Sequence, residues 1–261
     1  METASVSPKR KVSALLVVGL ILLVLALGTV VVIVLFAPAP SGNVLSQNLS
    51  EPLNDVTSAK VDINAGTGNL SIDGLNANVP LLASAAVEYP EKQSAPDWTV
   101  KAFNGKADVT LKADGGRQAG LRLPWQACNG ETNWQIHLNG GVASDLTAYS
   151  GGGNLKLDLS GMNVTGVMAD TGGGNVDVVL PEQMQNLSVT AKTGAGNVTV
   201  YVPNGVEAKI HATSGVGKVM VDSRFTQVDE NTYQSAGYDG ATNRVEITLG
   251  SGAGNVSVNS K

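Results

Sequence analysis

Five segments of the chain, and a sixth that varies them, place glycines, an asparagine and alternating apolar residues where phosphate or a cation could bind. The clearest is TGGGNVDVVL at residues 171–180. A dinucleotide fingerprint needs its glycines to follow a strand and open a helix, but here each glycine motif opens another strand-like run. A P-loop needs Gly-x4-Gly-Lys-Ser/Thr; Gly217-Lys218 is followed by Val219 and lacks the upstream glycine. Calcium-binding nonapeptides have the form GGxGxDxUx, which GGGNVDVV approaches through Asp177. The equivalent positions are Ser71, Lys156, Thr199, Met220 and Ser257. One carboxylate among such groups cannot supply the six to eight oxygens of a calcium site. Asp177 is expected instead to face Lys156 on the adjacent rung as a cross-strand ion pair.

Carboxylates on neighbouring turns of a stacked fold could also cleave glycosidic bonds. Four residues past each asparagine the column reads Asp73, Asp158, Val179, Tyr201, Asp222, Asn259, with gaps between the acids. Asp158 and Asp222 are the residues on which a carbohydrate-active reading would rest. His137 and His211 alternate with apolar neighbours, which places them on a polar face. No Gly-x-Ser-x-Gly elbow accompanies either of them. Two histidines and the single cysteine, Cys128, are too few for a zinc site of the usual spacing. No catalytic, cofactor or metal residue is therefore assigned, and the binding residues stay unknown.

The elements that carry these motifs repeat. Gly-x-Gly-Asn followed by alternating apolar residues starts at Gly66, Gly151, Gly172, Gly194 and Gly252, and the variant GVGKVMV starts at Gly215. Successive starts differ by 85, 21, 22, 21 and 37 residues. Between the turns the alternation has period two, the mark of a half-buried strand. Val198, Val200 and Val202 alternate with Thr199 and Tyr201; Val206, Ala208, Ile210 and Ala212 follow the Pro203-Asn204-Gly205 turn. One such unit cannot bury its apolar face alone, whereas units stacked ~4.8 Å apart cover one another. The expected fold is all-β: a β-solenoid of parallel stacked rungs of about 21 residues, its corners turned by glycine and its asparagines joined in a ladder. Lys218 interrupts that asparagine column. Three Asn-x-Ser/Thr sequons, at Asn69, Asn197 and Asn255, arise from the same corners; Asn48, Asn163 and Asn186 supply the others.

Val12 to Phe36 carries no charge over 25 residues, long enough for a helix to cross a ~30 Å hydrocarbon core. Ala37-Pro38-Ala39 resembles a signal cleavage site, but Pro40 would hinder cutting, and the apolar run exceeds the usual ~7–15 residues of a signal peptide. Lys9, Arg10 and Lys11 precede the run, which puts residues 1–11 in the cytoplasm and the rest outside. The expected organisation is a basic segment at 1–11, a single transmembrane helix at 12–36 and a linker at 37–58. An irregular first part follows at 59–150, in which the 85-residue interval equals about four rungs, and then the regular solenoid at 151–259. Residues 223–243 read as a protruding loop, and the tryptophans Trp98, Trp125 and Trp134 as core. The chain's net charge is −5, and beyond residue 37 it holds 14 basic and 21 acidic residues. Nucleic acid is excluded as a partner on that ground, since phosphate binding needs clustered Lys and Arg.

GTGNLSIDG, then WQIHL, then DLTAYSGGGNLKLDLSGMNVTGVMADTGGGNVDVVLP resemble the toast-rack envelope proteins over about residues 58–258. That family is related to the LiaF-type cell-wall-active-antibiotic-response domain and to domains named as putative adhesins. The resemblance implies a membrane-anchored, extracytoplasmic β-solenoid without assigned catalysis or cofactor. The partners it suggests are the membrane, through the helix, and an envelope protein, a glycan or further copies of the chain. A regulatory partner of an envelope-stress sensor kinase is the alternative. LiaF-type regulators, however, usually carry several transmembrane helices where this chain has one.

Overall fold

The computed structural model describes residues 43–91, 93–113 and 132–261. The expected anchor at 12–36, Trp125 and Cys128 lie outside the described residues. Among the described residues no helix is long and apolar enough to cross a membrane.

Seven rungs stack between two sheets, each rung giving one strand to each sheet. In chain order, rung 1 is β2 (Ser58–Asn64) with β3 (Asn69–Leu75), and rung 2 is β6 (Lys106–Lys112) with β7 (Asn133–Asn139). Rung 3 is β8 (Ala143–Ser150) with β9 (Leu155–Asp158), and rung 4 is β10 (Val164–Gly173) with β11 (Val176–Val179). Rung 5 is β12 (Leu187–Ala195) with β13 (Val198–Val202), and rung 6 is β14 (Glu207–Val216) with β15 (Val219–Val221). Rung 7 is β18 (Arg244–Ala253) with β19 (Val256–Ser260). Neighbouring rungs pair in parallel, and the alternating valines, leucines and alanines close into one core. The side chains expected inside are there: Val176, Val178 and Leu180 are buried.

The spatial order differs from the chain order. Rungs are stacked 2-1-3-4-5-7-6, so the first and last rungs of the chain each lie inside the stack. Strand pairing fixes this order. β3 pairs with both β7 and β9, and β18 pairs with both β12 and β14.

The structure corrects three expectations. Within the expected linker, β1 (Val44–Pro52) is a strand, paired antiparallel with β4 (Leu81–Pro90) at the edge of one sheet. Its side chains stay mostly in water, so its sequence lacks a strong apolar alternation. Second, the irregular first part belongs to the same stack, as expected, but among the described residues before Gly151 it supplies two complete rungs and the first strand of a third rather than about four. Among the described residues it holds rungs 1 and 2, β4, β5 (Asp97–Phe103) and β8, with β4 and β5 running antiparallel to their neighbours. Third, residues 223–243 do not simply protrude. β16 (Thr226–Gln227) and β17 (Thr232–Gln234) form a hairpin, and β17 pairs with β14. Phe225 is 4% exposed and caps the core, with the Arg224 guanidinium 4.5 Å above its ring.

Candidate interaction face

Each corner between the two strands of a rung brings backbone from successive rungs close together. A Cβ added at Gly172, Gly194 or Gly252 would lie 2.5 Å from the carbonyl oxygen of the equivalent glycine in the neighbouring rung. The second glycine of each corner is tighter still. Gly174, Gly196 and Gly254 also have φ of +134°, +145° and +145°, which side chains rarely adopt. The GxGN motif is therefore a packing device, and its glycines leave no room for a ligand between rungs.

The asparagines form the expected ladder through a defined bond. The side-chain oxygen of each accepts the backbone N–H of the equivalent residue in the next rung. The bonds run from Asn154 to Asn69 (2.9 Å), Asn175 to Asn154 (2.8 Å), Asn197 to Asn175 (2.9 Å) and Asn255 to Asn197 (2.8 Å). Lys218 N–H closes the series on Asn255 Oδ1 at 3.0 Å. Lys218 thus ends the column rather than interrupting it. At the opposite end the carboxylate of Glu88 accepts the Asn133 N–H at 3.0 Å.

A second column runs beside the first, and sequence reasoning missed it. The hydroxyls of Ser150, Thr171, Thr193, Ser251 and Ser214 donate to carbonyls of Gly68, Gly153, Gly174, Gly196 and Gly254 at 2.8–2.9 Å. The signal was present: a Ser or Thr directly precedes the first glycine of every one of these corners.

The outer face of the β1–β4–β7–β3–β9–β11–β13–β19–β15 sheet carries the chemistry-bearing side chains. Lys156 and Asp177 are neighbours in register, as expected, but they form no ion pair among the described residues. His137, Asp73 and Asp158 stand side by side on β7, β3 and β9, and His137 Nδ1 contacts Asp73 Oδ1. Ser84 on β4 lies across from His137, without a hydrogen bond between them among the described contacts.

Asp158 and Asp222 do not come together. Four strand spacings separate them, ~19 Å, whereas glycosidase carboxylates sit about 5–9.5 Å apart. Neither environment suits a general acid, which needs a raised pKa. The Ser160 hydroxyl, 2.6 Å from Asp158, holds that carboxyl below its ordinary value; burial opposes this, while the Ser160 N–H, Lys261 and Lys156 add to it. The Arg224 N–H, 2.9 Å away, does the same for Asp222, with the Ser260 N–H adding.

The other candidates fall into structural places. Trp134 is 2% exposed and its Nε1 donates to Glu88 O at 2.8 Å; Trp98 packs against the core. His211 is on an outer face, 3.4 Å from Thr232 Oγ1, beside a depression of ≈ 310 Å³. A second depression, ≈ 380 Å³, lies at the rung turns between Glu182, Pro203 and Asn243. Among the described residues no cluster of three His, Cys, Asp or Glu side chains is placed to hold a metal ion.

Two sheets of parallel rungs, closed on one core and polar outside, define a β-solenoid whose surfaces rather than cavities face its surroundings. The chain belongs to the toast-rack family: the model of that family's N-terminal domain matches residues 40–201. The model of the C-terminal domain of the cell wall-active antibiotics response protein LiaF matches residues 153–258. A solved structure from Clostridium sporogenes, named as a putative cell adhesion protein, is 25% identical with a TM-score of 0.73. The match covers 84% of this chain and all of that one. A protein of Bacteroides fragilis, named as a putative adhesin, is 12% identical over 84% of this chain and 98% of its own, with a TM-score of 0.34. No curated protein matches the chain.

Proposed function

We propose that the protein is a non-catalytic interaction module of the cell envelope, held outside the cell by a single helix at residues 12–36. The observation that carries the reading is the disposition of the outer sheet face. Its corner asparagines are committed to rung-to-rung bonds, Asp158 and Asp222 lie ~19 Å apart on local partners, and Ser71, Lys156, Asp177, Thr199 and Ser257 stand in register across it. Such a face is a rigid surface for recognition, and likeness to the Clostridium sporogenes protein named as a putative cell adhesion protein supports that use. The uncharged run and the basic residues before it support the anchor.

The test is labelling of intact cells with a membrane-impermeant amine reagent. Exposed Lys156 and Lys192 should react without lysis, and labelling that appears only in broken cells would refute the extracytoplasmic placement. A second reading, a regulatory partner of an envelope-stress sensor kinase, is favoured by the LiaF match at 153–258. Deleting the gene then changes an envelope-stress reporter and leaves attachment to surfaces intact; loss of attachment with a silent reporter supports the first reading.

A further inference from the structure

Rung 7 follows rung 6 in sequence, yet it lies between rungs 5 and 6 with a strand ladder on each side. Its inner residues Val245, Ile247, Leu249, Val256 and Val258 are 0–1% exposed. The corner chemistry explains why it belongs there. An incoming rung needs an acceptor for the N–H of its corner residue, and Asn197 supplies one to Asn255. The outer side of rung 6 presents Lys218 at that position, which has no acceptor in its side chain. Stacking rung 7 outside rung 6 would leave Asn255 N–H without its partner, while insertion satisfies both Asn255 and Lys218.

The connection to rung 7 is longer than its path requires and is taken up by a 3-10 turn at Tyr238–Gly240, with the Gly237 N–H donating to the Glu207 carboxylate. Ser235 is fixed by the backbone of Ala208, and residues 236–243 then cross from β17 past β14 to β18. That crossing is two strand spacings, ~10 Å, whereas eight extended residues reach roughly 26–29 Å. At the far end Asn243 donates to Glu182 O and Gly205 O and accepts the Met184 N–H, and all three partners lie on turns beside the slot.

We infer that rung 7 of one copy can occupy the slot between rungs 5 and 6 of a second copy, and reciprocally. The product is a closed dimer in which each copy completes the other's stack. The core contacts, the Asn197–Asn255–Lys218 bonds and the Asn243 bonds are the same in the closed and exchanged forms. The balance therefore rests on the hinge and on the concentration of copies.

Thr199 and Ser257 are Cα partners across the slot, at the ~4.8 Å strand spacing and so within disulfide range. Thr199→Cys and Ser257→Cys chains, each also carrying Cys128→Ser, are co-expressed at full length, purified in detergent and oxidised. A covalent heterodimer well above the homodimer that either variant forms alone is expected. A chain carrying both cysteines should close its own bridge. If that chain closes but the mixture yields only the homodimer level, exchange does not occur. If it fails to close, the slot is not arranged as inferred. Either result overturns the proposal.

Discussion

The two ends of the stack are finished by different means. At the rung 2 end, β4 and β1 extend one sheet and β5 extends the other, so the first complete rung is covered on both edges. The corner N–H of Asn133 there faces outward along the ladder and receives an acceptor from Glu88. At the rung 6 end the hairpin covers only β14, and the three-residue β15 is an open edge. Because the ladder donates in one direction, this end requires no acceptor, and Lys218 occupies it. A charged residue at the corner that leads into a short edge strand also discourages pairing with other chains. One end is closed by covering it, the other by shortening and charging it.

The largest test of that contrast removes the aromatic residue under each end. Trp134→Ala should cost about 3–5 kcal/mol by denaturant unfolding, because it empties a buried site. Phe225→Ala at the other end should fall at the low end of the same range, since Phe225 caps a single rung and lacks the Trp134–Glu88 bond. Equal losses would mean that the ends are equally consolidated. Next in size is Glu88→Ala, which leaves the Asn133 N–H to water and should cost about 1 kcal/mol.

Acid should separate the ends as well. Asp222 and Asp229, both near rung 6, sit below their ordinary value of 3.8, held by the Arg224 N–H and by the Thr232 hydroxyl respectively. Carboxyls depressed on folding stabilise the native state above the unfolded value, and that contribution is lost as pH falls through the lower folded value. Amide exchange measured as pH is lowered below about 4 should therefore show β15 and β16 opening before β4 and β7. Smallest of all is Lys218→Ala, expected within about 0.5 kcal/mol of the parent because only its backbone N–H is used.

The repeat was legible because local rules wrote it. Glycine pairs marked where backbones approach, valine alternation marked the inner face, and the asparagine spacing marked the ladder. Rung order was not legible. Rungs 5, 6 and 7 share nearly the same corner and the same apolar alternation, so any two could stack, and the choice depends on which corner lacks an acceptor. Lys218 held that information, but its meaning required knowing the direction in which the ladder donates. β1 was missed because an edge strand buries little, so QNLSEP offered no apolar alternation to read. The candidate site was legible mainly by exclusion: spacing alone argued against calcium and phosphate, whereas the separation of Asp158 from Asp222 needed the strand order.

The placement of β1 and β19 also sets how the fold would bear mechanical load. Tension applied beyond β19 meets a strand gripped by β13 and β15 together, so two ladders must shear at once. Among the described residues, tension from the N-terminal side first meets β1, which holds to β4 alone. Under a pull from that side β1 is the part that gives way, lengthening the chain while rung 1, clasped between rungs 2 and 3, stays folded.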